Sequence, residues 1–185
     1  MCIRDRYYKY QGLKTIFNIP EALRSGLLIT NKVYFTIRMP AAGNHDLFLK
    51  PNGSASTFHS YTQQYTNGVY HVGSDSNVGF KLCQIIGAAT NTGTIPTHIN
   101  IIGELTIIRD KYLYSATTTG GGFTTRIFGT LVQYGNKYIQ KWDFQGQAVN
   151  GVNNDIYEEI TSFQFITSNT SVEGDTGVSV TIEGE

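Results

Sequence analysis

Charged residues are scarce in this sequence, and neither sign dominates. Lysine and arginine together number 14, aspartate and glutamate also number 14, and the four types make up 15% of the 185 residues. Electrostatic binding to nucleic acid or to an anionic membrane requires a basic stripe or a polybasic cluster. We therefore expect neither nucleic acid nor a membrane among the partners, and the polar surface must come from uncharged side chains.

Cysteine is nearly absent, with only Cys2 and Cys83 in the chain. Two cysteines exclude a disulfide framework as the source of stability. Cys83 lies in an apolar stretch, residues 79–86, where an isolated thiol usually serves as a small hydrophobic side chain rather than a nucleophile. Long apolar runs are missing too: no segment approaches the ~18 residues of a membrane-spanning helix, and the first residues carry charges where a secretion signal has its apolar core.

Motifs that carry chemistry are also missing. No Gly-x-Ser-x-Gly elbow occurs, and Glu158 and Glu159 would point to opposite faces of a strand because they are adjacent. Glu104 and Asp143 are isolated in sequence. The histidines show no spacing that favours a triad or a zinc site, and the sequence predicts ordinary polar side chains for His45, His59, His71 and His98.

Two acidic and amide-rich segments, 75–77 and 153–155, each offer two or three oxygens but complete no calcium loop, so turns that bond their own backbone are favoured. The three glycines at 120–122 lack the lysine and the helix of a phosphate-binding loop, and they predict a hairpin tip. The sequence therefore predicts no catalytic residue, no metal and no cofactor.

What the chain does contain is alternation of apolar and polar residues. Near the end, residues 160–166 and 177–183 each alternate around a polar turn, and we predict that they form a β-hairpin. Val178, Val180 and Ile182 fall on one face of its second strand. A charge at Phe163, Phe165 or Val180 should unfold the protein if these residues face inward.

The same pattern recurs upstream. Residues 27–30, 32–39, 46–50, 57–65, 69–72, 80–86 and 98–108 each read as strands, and Arg109-Asp110 reads as a turn. Gly103 interrupts an apolar row, which indicates a β-bulge or the close approach of another backbone. Residues 123–134 and 137–144 predict a hairpin around Gly135-Asn136.

About ten short strands without βαβ spacing predict an all-β fold, an antiparallel β-sandwich of jelly-roll type, and an eight-stranded closed barrel is the structural alternative. Residues 18–26 predict the one short helical turn, because Asn18 can cap, Pro20 suits a first turn and Gly26 suits a stop.

Residues 1–6 resemble the translated adaptor scar of environmental sequence assemblies and are expected to be a non-native or disordered leader. We then expect an N-terminal arm or linker over 7–30 and a single β-sandwich domain over 31–185.

Aromatic residues are the compositional feature that points to binding: 12 Tyr, 10 Phe and one Trp. Tyrosine combines an apolar ring with a polar tip, which suits protein interfaces and the stacking of sugar rings. About half of these residues are expected in the core or in cross-strand pairs. The candidate binding residues are Tyr61, Tyr65, Tyr70, Tyr112, Tyr114, Tyr138 and Trp142.

Residues 160–165, the following glycine-containing turn and the short Val/Ile strand ending in Glu-Gly resemble the end of β-sandwich domains of tailed-bacteriophage virion proteins, of the tail-fibre and head-fibre type. Residues 32–37 and 103–107 are similar to an early and a middle strand of those domains. The resemblance implies a non-enzymatic virion component at the particle surface, made in the host cytoplasm. It also implies assembly with copies of itself, a trimer being common for fibres, or with other virion proteins, and contact with a host-surface glycan.

Three hypotheses follow from the sequence. The first is this structural or attachment module, which requires an apolar or tyrosine-rich surface for assembly. The second is a carbohydrate-binding module, which requires a shallow groove with a tyrosine or Trp142 presented to solvent. The third is a glycan-cleaving enzyme, which requires two carboxylates about 5–10 Å apart in a cleft.

Overall fold

Strands make up nearly all of the residues that the structure describes. The computed structural model describes residues 3–11, 13, 16–23, 28–40, 44–51, 57–64, 70–71, 78–85, 98–112, 122–134, 139–149, 161–168 and 176–184. These residues form one 3-10 turn, Glu21–Leu23, and the strands β1 Ile3–Gln11, β2 Phe17–Asn18, β3 Leu28–Pro40, β4 His45–Pro51, β5 Thr57–Gln64, β6 Tyr70–His71, β7 Phe80–Ile85, β8 His98–Tyr112, β9 Gly122–Tyr134, β10 Ile139–Val149, β11 Ser162–Thr167 and β12 Gly177–Gly184.

The strands form two sheets. The large sheet has the order β1-β12-β3-β8-β9-β10-β5-β6, and the small sheet has the order β2-β11-β4-β7. Every neighbouring pair is antiparallel. The predicted all-β antiparallel sandwich is therefore confirmed, and the described strands form two separate sheets rather than one closed barrel.

The pairing follows the jelly-roll pattern. Four pairs nest one inside another along the chain, β1 with β12, β2 with β11, β3 with β8 and β4 with β7, and successive pairs alternate between the two sheets. The remaining strands are insertions into this scheme. β5 and β6 follow β4, β9 and β10 follow β8, and all four extend the large sheet beyond β8. The predicted hairpin of β9 and β10 is confirmed by their register.

The two closing strands do not form the predicted hairpin. β11 pairs with β2 and β4 in the small sheet, whereas β12 pairs with β1 and β3 in the large sheet. Alternation with a period of two identifies a strand and its apolar face, but it does not reveal which sheet the strand joins. The predicted faces are nevertheless correct, because Phe163, Phe165 and Val180 are all buried.

The N-terminal region contributes to both sheets. β1 includes Ile3 and the next three of the six residues expected to be a leader, and β2 and the start of β3 fall within the stretch predicted as an arm or linker, 7–30. β1 and β2 lie at sheet edges, where pairing depends on backbone hydrogen bonds and demands little of the side-chain pattern. The predicted helical turn is confirmed as the 3-10 turn.

Two predicted breaks are continuous strand. Residues 27–30 and 32–39 join into β3, because Asn31 pairs with both Gly184 and Ile107 and its buried side chain donates from Nδ2 to the carbonyl of Leu23 at 3.1 Å. Arg109-Asp110 is likewise part of β8, paired with β9. In the sequence, polar residues at these positions resemble turn signals. Only their cross-strand partners show that they belong to a continuous strand.

Aromatic rings join the sheets in the core. The Phe35 ring of the large sheet lies 4.8 Å from that of Phe165 in the small sheet, centroid to centroid. Phe165 also contacts Phe163 at 5.9 Å and Phe17 at 6.2 Å. This cluster packs β2, β11 and β3 together, and offset and edge contacts of this kind add to the stability that area burial supplies.

Two glycines on the inner face of the large sheet make room for aromatic rings. A Cβ on Gly103 would overlap the Phe35 ring, with two further ring atoms at 2.6 and 2.8 Å. A Cβ on Gly129 would meet the Glu104 carbonyl oxygen, Leu105 Cα at 2.7 Å and the Phe144 ring at 2.9 Å. β8 keeps its register through Gly103. The prediction for Gly103 is therefore wrong in both forms, because there is no bulge and the group that approaches is a ring rather than another backbone, whereas backbone atoms approach Gly129.

Candidate functional site

The large sheet has one face in the core and one face open to solvent. On the open face, Ile102 of β8 is 49% exposed, Phe128 of β9 is 46% exposed and Ile139 of β10 is 68% exposed. The half-buried Val132 pairs with Ile102, and the half-buried Tyr134 pairs with Ile139, so these four residues adjoin one another on neighbouring strands. Phe128 lies four residues from Val132 on β9, with Thr130 between them. We name these five residues the outer apolar patch. Scattered exposed apolar residues are common, whereas adjoining ones are typical of surfaces that bind a partner.

A shallow depression of about 380 Å³ borders the outer apolar patch. It arises where short hydroxyl side chains on neighbouring strands are surrounded by longer ones. Its outward-facing lining comprises Thr36, Thr130, Ser179 and Thr181, with Tyr34, Ile102, Glu104 and Val132 around them. Hydroxyl groups both donate and accept hydrogen bonds, so the depression suits a neutral polar ligand or ordered water.

Charged residues on this face are few, but they lie among the apolar ones: Lys141 pairs with Val132, and Glu104 pairs with Thr130, which lies between Val132 and Phe128 on β9. Arg38, Glu104 and Arg126 are exposed. Lys141 Nζ and an oxygen of Asp143 lie 4.0 Å apart on β10. The scarcity of charge on this face is typical of a protein interface, in which charged residues are depleted.

Two of the carboxylates considered for glycan cleavage share this face. Glu104 and Asp143 both pair with Thr130, so their strands lie two spacings apart, about 10 Å between Cα atoms. Glu104 is exposed and lines the depression, whereas Asp143 lies outside its lining and beside Lys141. The depression therefore does not bring the two carboxylates together in one cleft. Glu158 and Glu159 lie outside the described residues.

The predicted binding residue Trp142 is in the core. Its side chain is fully buried on the inner face of β10, between its register partners Leu131 and Gln64. It cannot present its ring to a sugar, because inward and outward positions alternate and Lys141 and Asp143 take the outward ones. The prediction for Trp142 is therefore wrong.

The tyrosine candidates stay predictions. Tyr61 pairs with Gln145, Tyr70 with Gln63 and Tyr112 with Gly122. Tyr65, Tyr114 and Tyr138 lie outside the described residues. Sequence reasoning missed Tyr34 and Tyr134 as surface residues of this face. The period of two along residues 32–39 places Tyr34 opposite Val33 and Phe35, but such a pattern does not show which side of the sheet the small sheet covers.

The histidines and Cys83 form no reactive site in the described residues. His45 is buried at the start of β4, His98 is half-buried at the start of β8, and within the described ranges no three His, Cys, Asp or Glu residues lie close enough to hold a metal.

Cys83 is fully buried on β7, near the Lys81 and Asp46 pair, whose Nζ and Oδ1 atoms lie 2.9 Å apart. Burial raises the pKa of the Cys83 thiol far above its ordinary value, and the Asp46 carboxylate raises it further. The group stays a protonated thiol, as predicted for a hydrophobic side chain rather than a nucleophile.

Cys83 is expected to resist thiol reagents while the protein is folded. In a Cys2→Ser variant, labelling by a maleimide should be at least ~100-fold slower in the native protein than in urea, because only the exposed thiolate reacts. Raising the pH from about 7.5 to 9.5 should accelerate labelling of the unfolded chain, because its thiol ionises with a pKa of ~8.5. The labelling rate of the folded chain should stay low over the same range. Equal rates in the folded and unfolded states would show that Cys83 is accessible.

Comparisons with known proteins do not assign this chain to a family. No protein-family model, curated protein or solved structure matched the chain. Among the described residues, the single helical element is a 3-10 turn of three residues, and no helix is long and apolar enough to cross a membrane. The open face of the large sheet is therefore the feature that bears on function.

Proposed function

We propose that this protein is a non-enzymatic structural or attachment module of a bacteriophage particle, of the fibre, tail or capsid-surface type. It acts through protein-protein assembly, with copies of itself or with other virion proteins. The observation that carries the proposal is the outer apolar patch, with Ile102, Phe128 and Ile139 each about half or more exposed on one face of the large sheet. Water-exposed apolar area on this scale is costly unless a partner covers it.

The architecture supports the same function. Jelly rolls form the domains of many viral capsid proteins and of lectins. This is an analogy at the level of the fold, and a fold hosts many functions. It agrees with the resemblance of residues 32–37, 103–107 and 160–165 to phage virion domains, and with a face that offers contact area rather than an enclosed reaction site.

The proposal is tested by solution mass and by flanking DNA. Analytical ultracentrifugation between about 1 and 100 µM should show an oligomer, because exposed apolar surface of this kind drives association at micromolar concentrations. Sequencing of the DNA on either side should find portal, capsid or terminase reading frames. A monomer at every concentration, together with neighbouring genes of sugar metabolism, would refute the virion assignment.

A carbohydrate-binding module is the second candidate, favoured by the hydroxyl-lined depression. Tyr34, Thr36 and Glu104 could bind a sugar ring through the phenol, hydroxyl and carboxylate groups that line one side. A glycan array distinguishes this candidate: binding that Tyr34→Ala and Glu104→Gln both abolish would support it. An array without binding would eliminate it.

A further inference from the structure

We infer that a partner protein covering the outer apolar patch inserts one basic side chain, an arginine or a lysine, into the depression, where it pairs with Glu104. The inference rests on the proposed assembly function and specifies the chemistry of the partner's surface. Glu104 then selects the partner by its charge, and Tyr34 and the hydroxyl groups of the depression complete the site for the cation.

Glu104 lies among the residues of the outer apolar patch. Ile102 is two residues away on the same face of β8, about 7 Å between Cα atoms. On β9 the cross-strand partner of Glu104 is Thr130, so Val132 and Phe128 are its two diagonal neighbours, at about 7–8 Å. A partner that covers Ile102, Val132 and Phe128 therefore also covers the carboxylate of Glu104.

The described part of the chain supplies no countercharge for this carboxylate. Asp143, which also pairs with Thr130, has Lys141 at 4.0 Å, but no ion pair among the described residues involves Glu104. Arg38 and Arg126 are exposed on the same face. Each of them pairs with a β8 residue four positions from Glu104, which is about 14 Å away along the strand and beyond the reach of either side chain.

This arrangement imposes a condition on the partner. A carboxylate that loses its water to an apolar surface disfavours association strongly, whereas a carboxylate that meets an opposite charge gives the contact specificity. Arg38 and Arg126 can extend their long side chains into solvent at the edge of a contact. Glu104 has a short side chain with apolar neighbours on both sides, so the partner has to bring the cation to it.

The depression has the chemistry that a basic side chain requires. Glu104 is the charged residue among the described residues that line it, and hydroxyl groups nearby can accept hydrogen bonds from an ammonium or guanidinium group. These hydroxyl groups belong to Thr36, Thr130, Ser179 and Thr181. Ile102 and Val132 offer an apolar side to the methylene stem. Tyr34, the cross-strand partner of Glu104, offers an aromatic ring to the cation.

Two short peptides test the inference on the full chain. They are acetyl-Ile-Arg-Ile-amide and the same peptide with citrulline, the neutral isostere of arginine. Amide chemical shifts in two-dimensional NMR measure dissociation constants, which should be about millimolar for contacts this small. The arginine peptide should bind about three- to fivefold more tightly, since an exposed ion pair contributes about this much. The largest shifts are expected at the amides of Thr36, Ile102 and Gly103.

Substitutions of Glu104 change the preference in opposite ways. Glu104→Gln should abolish the preference for arginine over citrulline and leave the affinity for the citrulline peptide within about twofold. Glu104→Arg should reverse the charge preference, so that acetyl-Ile-Glu-Ile-amide binds more tightly than the arginine peptide. Glu21→Gln is the matched control, because Glu21 is exposed on the 3-10 turn and its substitution alters the net charge as Glu104→Gln does. It should leave the preference unchanged. Thermal melts check that every variant is folded.

The outcomes separate this inference from the proposed function. A preference for arginine that disappears in Glu104→Gln and reverses in Glu104→Arg supports the inference. Equal binding of the arginine and citrulline peptides at these amides overturns it, while the proposed assembly function stands. Shifts confined to other residues, or no binding, also overturn it, and an oligomer in ultracentrifugation would then show that assembly uses another surface. No binding by a protein that stays monomeric at every concentration refutes both.

Discussion

Replacing Phe165 by aspartate is expected to leave the chain unfolded at 25 °C. The ring is fully buried on β11 and contacts Phe17, Phe35 and Phe163, with centroids between 4.8 and 6.2 Å away. Removing a buried phenylalanine side chain costs about 3–5 kcal/mol. A carboxyl group without a partner takes a proton rather than be buried ionised, and burial of the neutral polar group adds roughly 2–7 kcal/mol. The sum of about 5–12 kcal/mol is comparable to the ~5–15 kcal/mol that stabilises a typical domain.

Circular dichroism and urea titration measure this effect. Gln164→Asp is the matched control, because Gln164 is the neighbouring residue on β11 and is half-buried on the opposite side. It should shift the free energy of unfolding by less than ~1 kcal/mol, as surface substitutions usually do. A Phe165→Asp variant that unfolds cooperatively near the original urea midpoint would show that Phe165 is not part of the core.

The second large loss of stability is expected when alanine replaces either inner glycine of the large sheet. A second substitution that removes the neighbouring ring should restore stability at Gly103 but not at Gly129. Gly103→Ala forces a methyl group into the Phe35 ring, an overpacking that typically costs about 1–3 kcal/mol. Phe35→Leu removes the ring that it meets. The double variant should therefore be more stable than the sum of the two single effects by at least ~1 kcal/mol.

Gly129→Ala meets the backbone of β8 as well as the Phe144 ring. Backbone in the middle of a sheet cannot move without disturbing its own hydrogen bonds, so we expect a loss of at least ~3 kcal/mol. Phe144→Leu should recover little of it. Urea denaturation of both double-mutant cycles measures the two coupling energies. Equal coupling in the two cycles would contradict the distinction between ring and backbone.

Fold class could be predicted from the sequence, but strand partners could not. Alternation identified the inward faces of β3, β8, β11 and β12, because burial on one side of a sheet imposes a period of two. It could not reveal that β11 and β12 belong to different sheets, since both sheets impose the same period. Arg109-Asp110 resembles a turn because a polar pair near the end of a long strand has the composition of a loop. Its pairing with β9 shows that it belongs to the strand.

The candidate site was less accessible to sequence reasoning than the fold. Trp142 is one of the aromatic residues around the later hairpins that suit the stacking of sugar rings, yet its ring is fully buried in the core. The outer apolar patch escaped notice because Ile102, Phe128 and Ile139 come from three strands and show no common pattern along the chain. The alternation along β8 places Ile102 on the face opposite Ile101 and Leu105, but it does not show that this face is exposed. The extent of the small sheet decides which face stays open, and sequence alone does not give that extent.

The nested pairing of the jelly roll has a consequence for how quickly the protein acquires its structure. Ile3 pairs with Gly184, and each inner pair also joins segments far apart along the chain. A fold dominated by such distant contacts has a high contact order, so we expect refolding on the scale of milliseconds to seconds rather than microseconds. The edges of β3 and β8 stay unpaired until their partners arrive, and the apolar strands are then open to association with other chains. A chaperone or a slow rate of synthesis would protect the chain during that interval.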